Sequence, residues 1–152
     1  MWRNASADNF RIDLSWDNES KSKFVSPLLS FFYEHFGKHL STLLFMNLSL
    51  IFLPHNLSDS LSSICMLQLA NNQFSELSDN FIEISNLRIL SLLNNKLFKL
   101  PNNIGLLQHL KNIDVVNNQM EILPMTSLDL NMLNLWSFPL NLIFLISQSI
   151  MM

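Results

Sequence analysis

One stretch of this sequence is written three times. Ile64-Cys65-Met66-Leu67-Gln68-Leu69-Ala70-Asn71-Asn72-Gln73-Phe74 is followed by Leu87-Arg88-Ile89-Leu90-Ser91-Leu92-Leu93-Asn94-Asn95-Lys96-Leu97, and then by Leu110-Lys111-Asn112-Ile113-Asp114-Val115-Val116-Asn117-Asn118-Gln119-Met120. Each copy begins 23 residues after the last, and all share the pattern L-x-x-L-x-L-x-x-N-x-L. A unit this short cannot bury its own apolar side. It must stack on copies of itself, and about three or more are needed before the stack is stable.

The x-L-x-L-x core alternates with period two, which is the pattern of a strand with its leucines inward and its x residues outward. The asparagine then turns the chain. Asn72, Asn95 and Asn118 share one repeat position, with Asn141 one further step along. They are expected to form a ladder whose amides bond the backbone groups left unpaired where the chain leaves the strand. The next apolar residue (Phe74, Leu97, Met120) points back into the core. Leu77-Ser78, Leu100-Pro101 and Leu123-Pro124 open the return segment, where a residue without an N–H is tolerated. Phe81 with Ile84, and Ile104 with Leu107, close it inward.

The pattern L-x-x-L-x-L-x-x-N-x-L is the signature of the leucine-rich repeat, and residues 66–124 resemble its intracellular "typical" subtype, the Ras-suppressor-like repeats. The residues that carry the likeness are Leu69-Ala70-Asn71-Asn72 with Phe81, Leu87-Arg88, Leu100-Pro101, and Leu107-Gln108-His109-Leu110-Lys111 with Ile113-Asp114 and Asn118-Gln119. The resemblance implies an α/β leucine-rich repeat solenoid, with a short curved parallel sheet on the concave face and an irregular or helical convex side. It brings no catalytic residues.

Around the repeats, residues 1–23 are rich in Asn, Ser, Asp and Lys and read as a mobile polar arm, although Ile12-Asp13-Leu14-Ser15 mimics a strand of the repeat. Ser26-Pro27 opens a helix well. Leu28, Leu29, Phe31, Phe32 and Phe36 follow, and Gly37 stops it. Residues 24–39 are therefore expected to be an N-terminal capping helix over the first repeat; the rival reading is a membrane-surface helix, disfavoured by the absence of a strongly basic face. Residues 40–124 hold about four repeats. The first is looser: Asn47 arrives one position early, Leu48 takes the ladder site, and the step to Ile64 is 24 residues. Residues 125–152 read as a degenerate terminal repeat, on whose grid Leu133, Trp136, Phe138, Asn141, Ile143 and Ile146 fall. They read alternatively as an apolar tail or membrane anchor, because residues 130–152 carry no charge. An incomplete end is the third reading.

Composition narrows the function. Net charge is −3, which leaves no basic field for nucleic acid. Glycine occurs only at 37 and 105, so a phosphate-cradling loop is not expected. The single cysteine, Cys65, cannot form an internal disulfide, and no basic-then-apolar leader opens the chain. A reducing, cytoplasmic setting is the expectation, and the four N-x-S sequons at Asn4, Asn18, Asn47 and Asn56 carry little weight in it. Glu34-His35 and His39 lack the order of a zinc-protease motif. Cys65 has no histidine near it in sequence, and Asp114 is the one acid expected inside a repeat strand. No catalytic residue, metal or cofactor is expected.

If the strands stack in register, the outward residues form columns: Thr42, Met66, Ile89, Asn112; then Leu44, Gln68, Ser91, Asp114; then Met46, Ala70, Leu93, Val116. Met66, Ile89, Leu93 and Val116 place apolar surface around a polar centre, where a solvated strand face should be largely polar. One reading is a protein-docking groove made of Met66, Gln68, Ile89, Ser91, Leu93, Asn112, Asp114 and Val116; the other is weak surface polarity in an apolar-biased chain. The role expected is a non-catalytic scaffold for an unidentified protein partner. The alternative is a repeat protein held at a membrane by residues 130–152.

Overall fold

The protein's structure, a computed structural model, describes residues 10–13, 34, 39–53, 61–121 and 124. Among these residues five strands form one parallel sheet in chain order: β1 Phe10–Asp13, β2 Leu40–Leu44, β3 Met66–Gln68, β4 Ile89–Ser91 and β5 Asn112–Asp114. Thr42 stands opposite Met66, Met66 opposite Ile89, and Ile89 opposite Asn112. Leu44, Gln68, Ser91 and Asp114 pair in the same way one column over. Parallel neighbours cannot be joined by a hairpin and need a crossover. Here the crossover is the rest of each 23- or 24-residue repeat, tightened by short 3-10 turns at Asp79–Glu83 and Ile104–Leu106.

The core is built from rows of residues one repeat apart. Leu43, Leu67, Leu90 and Ile113 form the row inside the strands; Leu40, Ile64, Leu87 and Leu110 precede it; Phe45, Leu69, Leu92 and Val115 follow it. Leu50, Phe74, Leu97 and Met120 form the row past the asparagine turn. Leu77 with Leu100, Phe81 with Ile104, and Ile84 with Leu107 close the return side. All are buried, so each repeat's apolar side is covered by its neighbours, as the period requires. The return turns differ in their caps. Ser78 Oγ accepts from the backbone N–H of Asn80 at 3.2 Å, whereas buried Pro101 holds the same position one repeat later and its 3-10 turn has no side-chain cap.

The N-terminal region departs from the sequence expectation at one place. Residues 1–23 were expected to be a polar arm, yet Phe10–Asp13 pairs with β2 as an added parallel strand. The alternation of Phe10-Arg11-Ile12-Asp13 suits a strand, and β2 would otherwise present an unpaired edge. The fit is imperfect: Phe10 stands opposite Leu40 but Arg11 opposite Thr42, a register shift of one residue. The other residues of 1–23 lie outside the described residues. So does the capping helix expected at 24–39, apart from Glu34, whose backbone is helical, and His39. Residues 125–152, with Asn141 and every reading of the tail, lie outside them as well.

Candidate interaction surface

Two asparagines in each repeat do different work. The second of each pair is the more deeply set: Asn72 and Asn95 are buried and Asn118 is half-buried. Asn95 Nδ2 donates to the carbonyls of Leu92 (2.9 Å) and Leu93 (3.3 Å) in its own repeat and of Leu69 (3.0 Å) in the repeat before, while its Oδ1 accepts from the N–H of Phe74 at 3.1 Å. Asn118 does the same for Leu92 and Leu97 of the preceding repeat. Asn72 serves the first repeat more fully, accepting from both Leu48 N–H and Leu50 N–H and donating to the Phe45 carbonyl at 2.6 Å. Each amide therefore fastens its own turn to the one before it.

The first asparagine of each pair is the one the sequence reading left without a role. Asn71, Asn94 and Asn117 have φ of 57°, 55° and 55°, in the left-handed region that asparagine tolerates better than most residues. Their exposed amides form a chain: Asn94 Nδ2 donates to Asn71 Oδ1 at 2.6 Å, and Asn117 Nδ2 to Asn94 Oδ1 at 2.8 Å. Asn47, read from sequence as a ladder residue arriving early, has φ of 59° and is the counterpart of Asn71. It is on time for the left-handed position, and Leu48, buried at the ladder site, is the substitution. The recurrence of Asn-Asn in all three copies was the available signal for the second ladder.

The face of the sheet away from the core carries the columns in the order the period implies. Met66, Gln68, Ile89, Leu93, Asp114 and Val116 are half-buried, Asn112 is exposed, and Ser91 is buried. Ser91 is thus recessed between its neighbours, and Ala70 is buried too. Asp114 Oδ1 accepts from the N–H of Val116 at 3.1 Å, which holds that carboxylate along its own strand. At the rim where the strands begin, Arg88 and Lys111 are both exposed.

Nothing in the described geometry assembles a reacting centre. Cys65 is half-buried, with Sγ 3.7 Å from the Ser63 carbonyl. His109 is exposed, and among the described residues no group of His, Cys, Asp and Glu is placed to hold a metal ion. A shallow depression of about 220 Å³ on the return side is lined by Glu76, Ser78, Asp79, Lys99 and Asn102 among others; Glu76 and Lys99 form an ion pair across one repeat at 3.9 Å.

Comparison with known proteins agrees with this geometry at the level of the fold. A leucine-rich repeat protein of Leptospira interrogans superposes with a TM-score of 0.52 at 27% identity, over 63% of this chain and 30% of that one. The fold is leucine-rich-repeat-like. The chain thus matches less than a third of the length of that neighbour. No family model and no curated protein matches the chain. Among the described residues no helix is long and apolar enough to cross a membrane.

Proposed function

We propose that this leucine-rich repeat protein is a non-catalytic, intracellular scaffold that binds a protein partner through the concave face of its sheet. The supporting observation is the register: it brings half-exposed Met66, Ile89, Leu93 and Val116 onto one face, around Gln68, Ser91 and Asp114. Apolar area of that kind is stabilised by being covered, at roughly 25 cal/mol per Å², and the rigid stack holds its side chains in place before the partner arrives, which limits the ordering cost of binding. The finer resemblance, to the Ras-suppressor-like subtype and to leucine-rich repeat-containing protein 20, rests on the Leu-Pro steps and on Leu107-Gln108-His109-Leu110-Lys111, and it fits a scaffold role. The alternative, a membrane-held repeat protein, depends on residues 130–152, which lie outside the described residues.

The test is affinity capture with the full chain against the Ile89→Asp, Leu93→Asp double variant, with circular dichroism as the control for folding. The double variant should lose its partners while keeping a native spectrum. Equal capture by a folded double variant would remove the concave face from consideration. Carbonate extraction of the full chain and of a chain ending at Pro124 separates the anchor reading, which requires a pellet that depends on the tail.

A further inference from the structure

The cations of the repeats are placed in two different ways. Residues 61–121 contain four, Arg88, Lys96, Lys99 and Lys111. The two on the return side each meet a polar partner one repeat away: Lys96 Nζ lies 3.2 Å from Gln73 Oε1, and Lys99 Nζ lies 3.9 Å from Glu76 and 5.7 Å from the centre of the Phe98 ring. The other two meet each other. Arg88 and Lys111 occupy the same repeat position, and the N–H of Lys111 donates to the carbonyl of Arg88 at 2.8 Å, so their backbones run side by side at strand spacing, about 4.8 Å. Both side chains are exposed, and neither has a carboxylate within ion-pair distance among the described residues. Like charges on neighbouring strands oppose folding. The acids of the same residues stand elsewhere: Glu76, Asp79, Glu83 and Glu121 on the return side, and Asp114 turned to its own strand.

This cationic pair borders the apolar surface directly. Ile89 follows Arg88 in the chain, and Met66 stands opposite Ile89 in the next strand. The opposite rim, where the strands end, carries the neutral chain of Asn71, Asn94 and Asn117 amides. The sheet face therefore has one charged border and one neutral border, with apolar side chains between. From this juxtaposition we infer that the partner of the concave face is an acidic peptide segment, with a carboxylate seated between Arg88 and Lys111 and an adjacent large apolar side chain seated on Ile89 and Met66. The inference rests on the concave-face reading and adds to it the chemistry and the orientation of the partner. Pairing with a carboxylate removes the repulsion between the two cations, so the free chain holds this rim in a state that binding relieves. Complementary charge of this kind sets orientation and the rate of encounter more than it sets affinity.

The experiment titrates the full chain with fluorescein-labelled pools of short synthetic peptides. The pools are identical in their apolar residues and carry Glu, Gln or Lys at the remaining positions. The Glu pool should bind best and should weaken as salt is raised, because exposed charges are screened. The Arg88→Glu, Lys111→Glu variant should weaken the Glu pool by about tenfold and reverse the preference toward the Lys pool. Its circular dichroism should stay native, since both side chains are exposed. If Ile89→Asp, Leu93→Asp removes binding of the Glu pool but Arg88→Glu, Lys111→Glu leaves it unchanged, the acidic-partner inference fails and the groove stands. If neither variant changes binding, the concave-face reading fails with it. Equal binding of the Glu and Gln pools, or binding of no pool, also overturns the inference.

Discussion

The first repeat and the two that follow it solve the same problem with different residues. Repeats beginning at Ile64 and Leu87 carry Asn72 and Asn95 at the ladder site, both buried and fully bonded. The repeat beginning at Leu40 carries Leu48 there, 1% exposed, and takes 24 residues instead of 23 to reach the next. Yet its turn is well satisfied, because Asn72 of the following repeat reaches back to Leu48 N–H, Leu50 N–H and the Phe45 carbonyl. The comparison shows that a ladder asparagine serves the turn before it as well as its own. A repeat can lose its own asparagine if the turn it would have fastened is held in another way. Here that neighbour is β1, which is joined through strand pairing with a one-residue register shift.

Substitutions can break this comparison, and the largest effect should come from removing a ladder amide inside the regular run. Asn95→Leu strands the Phe74 N–H and the carbonyls of Leu69 and Leu92, and buried groups without partners cost about 1–3 kcal/mol each. A loss of at least about 3 kcal/mol in urea denaturation is expected; a loss below about 1 kcal/mol would mean that the ladder is not what fastens the turns. Restoring the missing asparagine tests the other side. Leu48→Asn exchanges a buried apolar side chain for an amide, and should cost about 2 kcal/mol. If it is neutral or stabilising, the turn preceding Leu40 offers the same bonding groups as the later ones, and the contrast between the repeats disappears.

The outer chain of amides should matter less. Asn94→Ala forces a Cβ-bearing residue without a local side-chain bond into φ near 55° and cuts both neighbours' amide contacts, for about 1–2 kcal/mol. Asn94→Gly keeps the backbone geometry and should cost less than Asn94→Ala in the same denaturation series. Equal losses would assign the whole effect to the hydrogen bonds. The smallest expected change is at Ser49, which stands between the ladder site Leu48 and the core residue Leu50 of the first repeat. Ser49 has φ of 54°, and Ser49→Gly should be neutral or raise stability by up to about 0.5 kcal/mol, because relief of the left-handed strain is partly offset by the added freedom of the unfolded chain.

The legible part of the surface was the part that depends on spacing alone. Met66, Ile89 and Asn112, and Gln68, Ser91 and Asp114, could be placed in columns from a 23-residue period and a two-residue alternation, and the sheet aligns them in that register. What spacing could not supply was depth. Ser91 and Ala70 are buried on a face where an outward residue of ordinary size would be open, because neighbouring strands crowd the shorter side chains. The Arg88–Lys111 pair was visible as two residues at one repeat position, but its isolation from carboxylates required knowing that Glu76 and Lys99 pair elsewhere.

The sequence by itself determined the parallel order of β2 to β5, the rows of the core, and the ladder position of Asn72, Asn95 and Asn118, since a fixed period and a fixed alternation leave a stacked strand no other way to bury its leucines. The tertiary structure alone decided which backbone groups each amide reaches, that Asn47 belongs to the left-handed position, and that Phe10–Asp13 joins the sheet. Those outcomes rest on partners more than twenty residues away in the chain, such as Leu69 for Asn95 and Phe45 for Asn72, or on the pairing of strands outside the regular repeats. Such partners are chosen by the stacking of one turn on the next, and local composition carries no record of that choice.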